Sequence, residues 1–151
     1  MLSLAILSSA QTFSQTDFRN PSMQSLTLLL ISCLFGGMCF FSFGFAPVLF
    51  KQLPIKEVRP LLRGTFPYYY LAIIVLSAGC CLLALFVKPF AAALLLIICL
   101  STIYARQILM GKINTATDSD NQQQFKKLHG LSVVVQLIQI VLCGWAVVAV
   151  S

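Results

Sequence analysis

Five polar residues, His129, Ser132, Gln136, Gln139 and Cys143, fall at helical spacing inside the otherwise apolar run from Leu128 to Val150. At roughly 100° per residue they occupy about 80° of arc, a single stripe down one face of a helix. Burying an uncompensated amide or imidazole in hydrocarbon is costly, so the stripe must face other helices, a water-filled cavity or a ligand. The amides and the hydroxyl could hold a polar solute. The imidazole is a candidate axial ligand for haem, with Met110 or Met38 as the second ligand, since the chain has no second histidine.

Other polar groups gather at the same depth as the top of the stripe. Arg106 ends the third apolar run, Tyr68 to Tyr70 open the second, Lys51 closes the first, and Asn114, Asp118 and Asp120 lie in the adjoining loop. Asp118 or Asp120 could pair with Arg106, and an Asn or Tyr could hydrogen-bond His129. The candidate binding set is therefore Arg106, Asn114, Asp118, His129, Ser132, Gln136 and Gln139. A purely structural account competes with it: aromatic belts and snorkelling bases anchor helix ends, an Arg–Asp clamp fixes a loop, and amides hydrogen-bond between helices.

The six cysteines all lie in apolar segments without CxxC or Cys/His spacing, which argues against a disulfide framework or zinc. Cys33, Cys80, Cys81 and Cys143 fall at one level near the outer face, where thiolates could hold Cu(I) or another soft metal. Small, weakly polar packing is the preferred reading for them, and no metal or haem is expected as a resident cofactor. No Ser/His/Asp set, phosphate-binding glycine loop or pair of carboxylates within a span points to an enzyme.

The elements that must position these groups follow from composition. Of 151 residues, 59% are hydrophobic and 9% charged, with mean hydropathy +0.93. A soluble domain carries about 25% charge, so the chain is a membrane protein. Its net charge of +6 is not interleaved with aromatics as a nucleic-acid surface would be; the charges sit between apolar runs and orient the chain. Four runs reach the length of about 20 residues that a bilayer requires: 26–50, 66–87, 90–110 and 128–150. Short connections make them an all-α, integral-membrane antiparallel four-helix bundle, a single domain over 26–151. Residues 1–25 read as a flexible leader, with Met23 as an alternative start.

Eight bases flank the first and third connections, against Arg19 and Lys88 on the other side, which predicts 51–65 and 111–127 in the cytoplasm and both termini outside, as in a bacterial inner membrane. Pro47 predicts a kink in the first helix, while Pro67 and Pro89 suit first turns of theirs. Ser32, Gly36 and Gly44 predict a packing seam on the face that carries Phe40. Asp118 or Ser119 is expected to cap the fourth helix, with Ser119 and Gln122 forming a capping box.

The segment GKINTATDSDNQQQFKKLHGLSVVVQ (Gly111 to Gln136), GFAPVLFKQL in the first helix and FPYYYL opening the second together resemble the small four-helix membrane proteins of the domain of unknown function 4149 family, which includes transmembrane protein 205-like proteins. The resemblance covers Leu26 to the C-terminus, and its most specific part is the ordered series Arg106, Asn114, Asp118, Phe125, His129, Ser132. Gly111 and Lys112 stand where family members often have Pro and Arg, and Gln136 where they often have Asn. The resemblance implies a multi-pass membrane protein without an established activity; copper-handling membrane domains and the four-helix protoporphyrinogen oxidase are analogies only. The expected role is binding, transport or an accessory function, with a small molecule or ion as partner and the bilayer as solvent. The alternatives are a haem- or metal-binding redox protein and a structural membrane subunit, either of which could form a homo-oligomer.

Overall fold

The computed structural model describes residues 21–151. Among them run four helices long and apolar enough to cross a membrane: α1 Pro21–Gln52, α2 Ile55–Val87, α3 Pro89–Asp118 and α4 Gln122–Val150. At 1.5 Å per residue they measure about 43–50 Å, well beyond a hydrocarbon core of about 30 Å. Residues 1–20 of the expected leader, Arg19 among them, lie outside the described residues. Residues 21–25 are helical, so Met23 sits in the first turn of α1.

The helices form a ring in which each packs on its sequence neighbours and α1 closes against α4. Gln24 Nε2 donates to the Val150 carbonyl at 2.9 Å, which joins the two terminal helices at one end of the bundle. At the other, basic end, Arg63 grips Asp118 through two bonds of 2.8 and 3.0 Å.

The packed core occupies the half nearest the termini. Ile31, Leu34 and Met38 meet Ile73, Cys80 and Ala84, Leu95 and Ile98, and Cys143 and Ala146, all buried. Lipid tails are as apolar as these side chains, so close packing and interhelical hydrogen bonds rather than the hydrophobic effect hold this half together. Bulky residues fill the α1 interface. The expected Ser32–Gly36–Gly44 seam is therefore not a packing face within the chain: Ser32 and Gly36 are exposed, and a Cβ on Gly36 would meet nothing within 4 Å. The close approach falls on α4, where a Cβ on Gly144 would come within 3.2 Å of the Phe35 ring.

Two of the three connections differ from the expected ones. The basic segment read as a loop over 51–65 is almost all helix, with the break confined to Leu53 and Pro54. Pro54 accepts the first bonds of α2 from Glu57 and Val58, and Glu57 complements the positive helix start. Pro60 and Pro67 lie inside α2, so Pro67 does not open it. Each proline frees the carbonyl four residues earlier, on Lys56 and Arg63, and both residues are exposed where water can satisfy it.

The loop expected over 111–127 shrinks to Ser119–Asn121 for a similar reason: its polar residues continue α3 on one side and begin α4 on the other. Asp120 takes the left-handed conformation (φ 52°), with Asp120 N bonded to the Thr117 carbonyl and Asn121 N to that of Ala116. This is a Schellman closure with Asp where Gly is usual. The cap of α4 is Asn121 rather than Asp118 or Ser119, and its Oδ1 accepts from Gln124 N at 3.0 Å. Asn121 Nδ2 also donates to Gln124 Oε1, so the reciprocal pair is Asn121–Gln124 rather than Ser119–Gln122. The turn at Lys88, with Pro89 in the first turn of α3, is as expected.

Pro47 acts on α1 one turn earlier than a simple kink. A π turn spans Phe40–Phe45, closed by Ala46 N–H bonding five residues back to the Phe41 carbonyl. A second π turn at Ala105–Leu109 carries Arg106. Above its π turn α1 packs along both α2 and α4; below it, α1 leaves α4 and a cleft opens.

A candidate ligand cleft at the basic end

Two lobes make up the cleft. The outer one, of about 460 Å³, is walled by Arg59, Arg63, Asn114, Thr117 and Phe125 around its mouth. The inner one, of about 360 Å³, runs on between Phe41, Phe43, Val133 and Leu137 to Gln136. Phe50, Leu62, Phe66, Tyr70, His129 and Ser132 line both, so the two lobes adjoin along these side chains. From Phe125 to Gln136 the cleft follows α4 for about 16 Å.

α2 supplies the principal wall. Arg59, Arg63, Phe66 and Tyr70 recur at spacings of four, three and four, which puts them on one face of a continuous helix. Tyr69 stacks on Phe41 at 3.8 Å, Phe66 meets Phe41 edge-on at 5.6 Å, and Tyr70 stacks on Phe66 at 5.7 Å. Tyr68 alone of the three tyrosines points outward as a belt residue would.

The stripe on α4 divides in two. In its deep half the groups are committed: Gln139, only 2% exposed, donates through Nε2 to Ser101 Oγ at 2.7 Å and Thr102 Oγ1 at 3.1 Å, and Cys143 Sγ faces the Ile31 carbonyl. Its upper half lines the cleft. Gln136 Nε2 donates to Tyr69 Oη at 2.7 Å at the floor, Ser132 Oγ bonds the His129 carbonyl, and the His129 ring lies parallel to Phe125 at 5.5 Å.

Of the seven residues singled out in the sequence, Asn114, His129, Ser132 and Gln136 line the cleft, and Asp118 anchors its rim through Arg63. The carboxylate expected on Arg106 is thus on Arg63 instead. Arg106, held in the second π turn, reaches the Pro67 carbonyl through Nε at 3.4 Å and lines neither lobe. Arg59 and Arg63 were missed because prolines and bases suggest a loop there, Phe41 and Phe66 read as ordinary span residues, and Tyr69 and Tyr70 as part of an aromatic belt. The four-three-four spacing of Arg59, Arg63, Phe66 and Tyr70 was the available signal.

His129 and Met110 line the same lobe, whereas Met38 is fully buried in the core. Among the described residues no three His, Cys, Asp or Glu side chains gather as a metal-holding set. Cys80 and Cys143 are in the core, Cys33 is exposed, and Cys81 donates to the Ala92 carbonyl at 3.3 Å.

A family model described as "Domain of unknown function (DUF4149)" matches residues 29–123. The chain belongs to this family. The matched stretch holds α1 from Leu29, all of α2 and α3, and the first two residues of α4. It thus includes Arg59, Arg63, Arg106, Asn114 and Asp118 and stops short of His129 and the stripe below it. No curated protein and no solved structure matches the chain.

Proposed function

We propose that this DUF4149 protein is a small-molecule binding protein of the membrane, and that the cleft between α2 and α4, bounded by α3 at its outer lobe and α1 at its inner one, is its working site, in a transport or accessory role. The support comes from the contrast between the two halves of the bundle. The half near the termini is closed, with its polar groups bonded across helices. The basic half keeps an aromatic-walled cavity within the range of about 300–1,000 Å³ typical of ligand sites, furnished with a few polar groups. A scaffold alone would have no use for that opening.

The distribution of bases supports a cytoplasmic position for the mouth and outer positions for Lys88 and both termini, in a bacterial inner membrane. A membrane-impermeant thiol reagent is therefore expected to label Lys88→Cys from outside intact cells in a background without native cysteines. Labelling from the cytoplasmic side alone would invert the topology.

The binding reading is tested by native mass spectrometry of protein released from its own membranes. A small molecule retained at one per chain is expected. A bare chain that is still folded would contradict it.

A further inference from the structure

Resting on that binding reading, we infer that the ligand is an anionic amphiphile taken from the leaflet that the cleft opens onto, its acidic head beside Arg59 and its chain lying between the aromatic wall of α2 and α4.

The argument starts from the unequal ends of the cavity. Around the outer lobe stand two guanidinium groups and the Asn114 amide, and no Asp or Glu lines either lobe. Around the inner lobe stand Phe41, Phe43, Val133 and Leu137, with the Gln136 amide already committed to Tyr69. A free inorganic anion would find partners at the mouth and, for the remaining depth, walls that are mostly aromatic and aliphatic with no Arg or Lys among them. A wholly apolar molecule would leave the mouth unused. A molecule with charge at one end and hydrocarbon along its length matches both lobes.

The donors at the mouth are available. Arg59 makes no ion pair or hydrogen bond among the described residues, and it is exposed on the cleft face of α2. Arg63 spends two of its five N–H groups on Asp118, and this fixes its plane while leaving other donors. That anchorage places a guanidinium at the rim without the entropy loss a free arginine would suffer on binding. Planar guanidinium matches phosphate and carboxylate better than a point charge would.

The entrance is lateral as well as axial. Phe43, Phe50, Val133 and Leu137 line the inner lobe, yet each is more than two-fifths exposed on the lipid side of the bundle. The π turn and Pro47 divert α1 from α4 along this same stretch. A chain-bearing molecule could slide between α1 and α4 from the bilayer while its head stayed at the interface.

The test uses the full-length protein in phosphatidylcholine nanodiscs doped separately with dodecyl phosphate, dodecyltrimethylammonium or dodecanol, with a further arm of inorganic phosphate in the buffer. Probe retained after release is counted by native mass spectrometry. Dodecyl phosphate is expected at one per chain, in preference to the other three, and Arg59→Gln is expected to reduce its retention about tenfold, the loss of a charge-assisted hydrogen bond. Equal retention of the cationic or neutral probe would overturn the charge assignment while leaving the cleft a binding site. Retention of inorganic phosphate alone would overturn the amphiphile. If no probe is retained but protein from native membranes carries its own molecule, the inference fails and the binding reading stands; if neither is found, both fail.

Discussion

Ser132→Trp is expected to abolish ligand retention while leaving the bundle folded. Ser132 lines both lobes where they join, and its hydroxyl bonds only the carbonyl of His129 within its own helix. An indole at that position would project into the passage between the head and tail regions, where there is room for it. No interhelical bond is lost, so the stability change should stay within about ±0.5 kcal/mol, as for substitutions away from packed cores. Retained small molecule should fall to background in native mass spectrometry, with an unchanged melting midpoint. A midpoint lowered in parallel with retention would mean that the residue is structural.

The second large effect is the reverse case. Leu95 is fully buried in the first third of α3, in the closed half. Leu95→Ala leaves a cavity that rigid helices fill only partly, and is expected to cost about 2–5 kcal/mol. In a membrane the loss is one of packing contacts rather than of water exclusion, and it is felt all the same because packing is what holds these helices together. Thermal unfolding in nanodiscs should show it, while the fraction of folded chains retaining ligand stays as in the wild type. The two substitutions thus separate the half that holds the bundle together from the half proposed to bind. If Leu95→Ala emptied the cleft in folded protein, that division would be wrong.

Much of the architecture was legible before the fold was known, because hydrocarbon imposes a severe filter. Four apolar runs of sufficient length, a tight turn at Lys88 and Pro89 and the inward-facing stripe on α4 follow from length, proline placement and polarity alone. The basic end, where the cleft lies, was harder to read. Pro60, Pro67 and the bases of 51–65 carry the usual marks of a loop, yet exposed carbonyls and a preceding Pro54 let α2 run through them. That extension is what turns Arg59, Arg63, Phe66 and Tyr70 toward one cleft. The stripe itself was read as one surface, but depth divides it: Gln139 finds the Ser101 and Thr102 hydroxyls on α3, whereas His129 and Ser132 lie where α1 has already departed. Only three-dimensional packing distinguishes an amide that ties helices from one that lines a cavity, and while Pro47 announced a kink in α1, its form as a π turn at Phe40–Phe45 is a matter of hydrogen-bond register that the residue pattern does not carry.

The most direct measurement of the central claim is a crystal structure grown from a lipidic mesophase doped with lipid extract from the protein's own membrane. Elongated density reaching from Arg59 past Ser132 to Gln136, with α1 splayed from α4 below Phe40, is the predicted result. An α1 that packs on α4 along its whole length, its side chains filling the space between Tyr70 and Leu137, would contradict it.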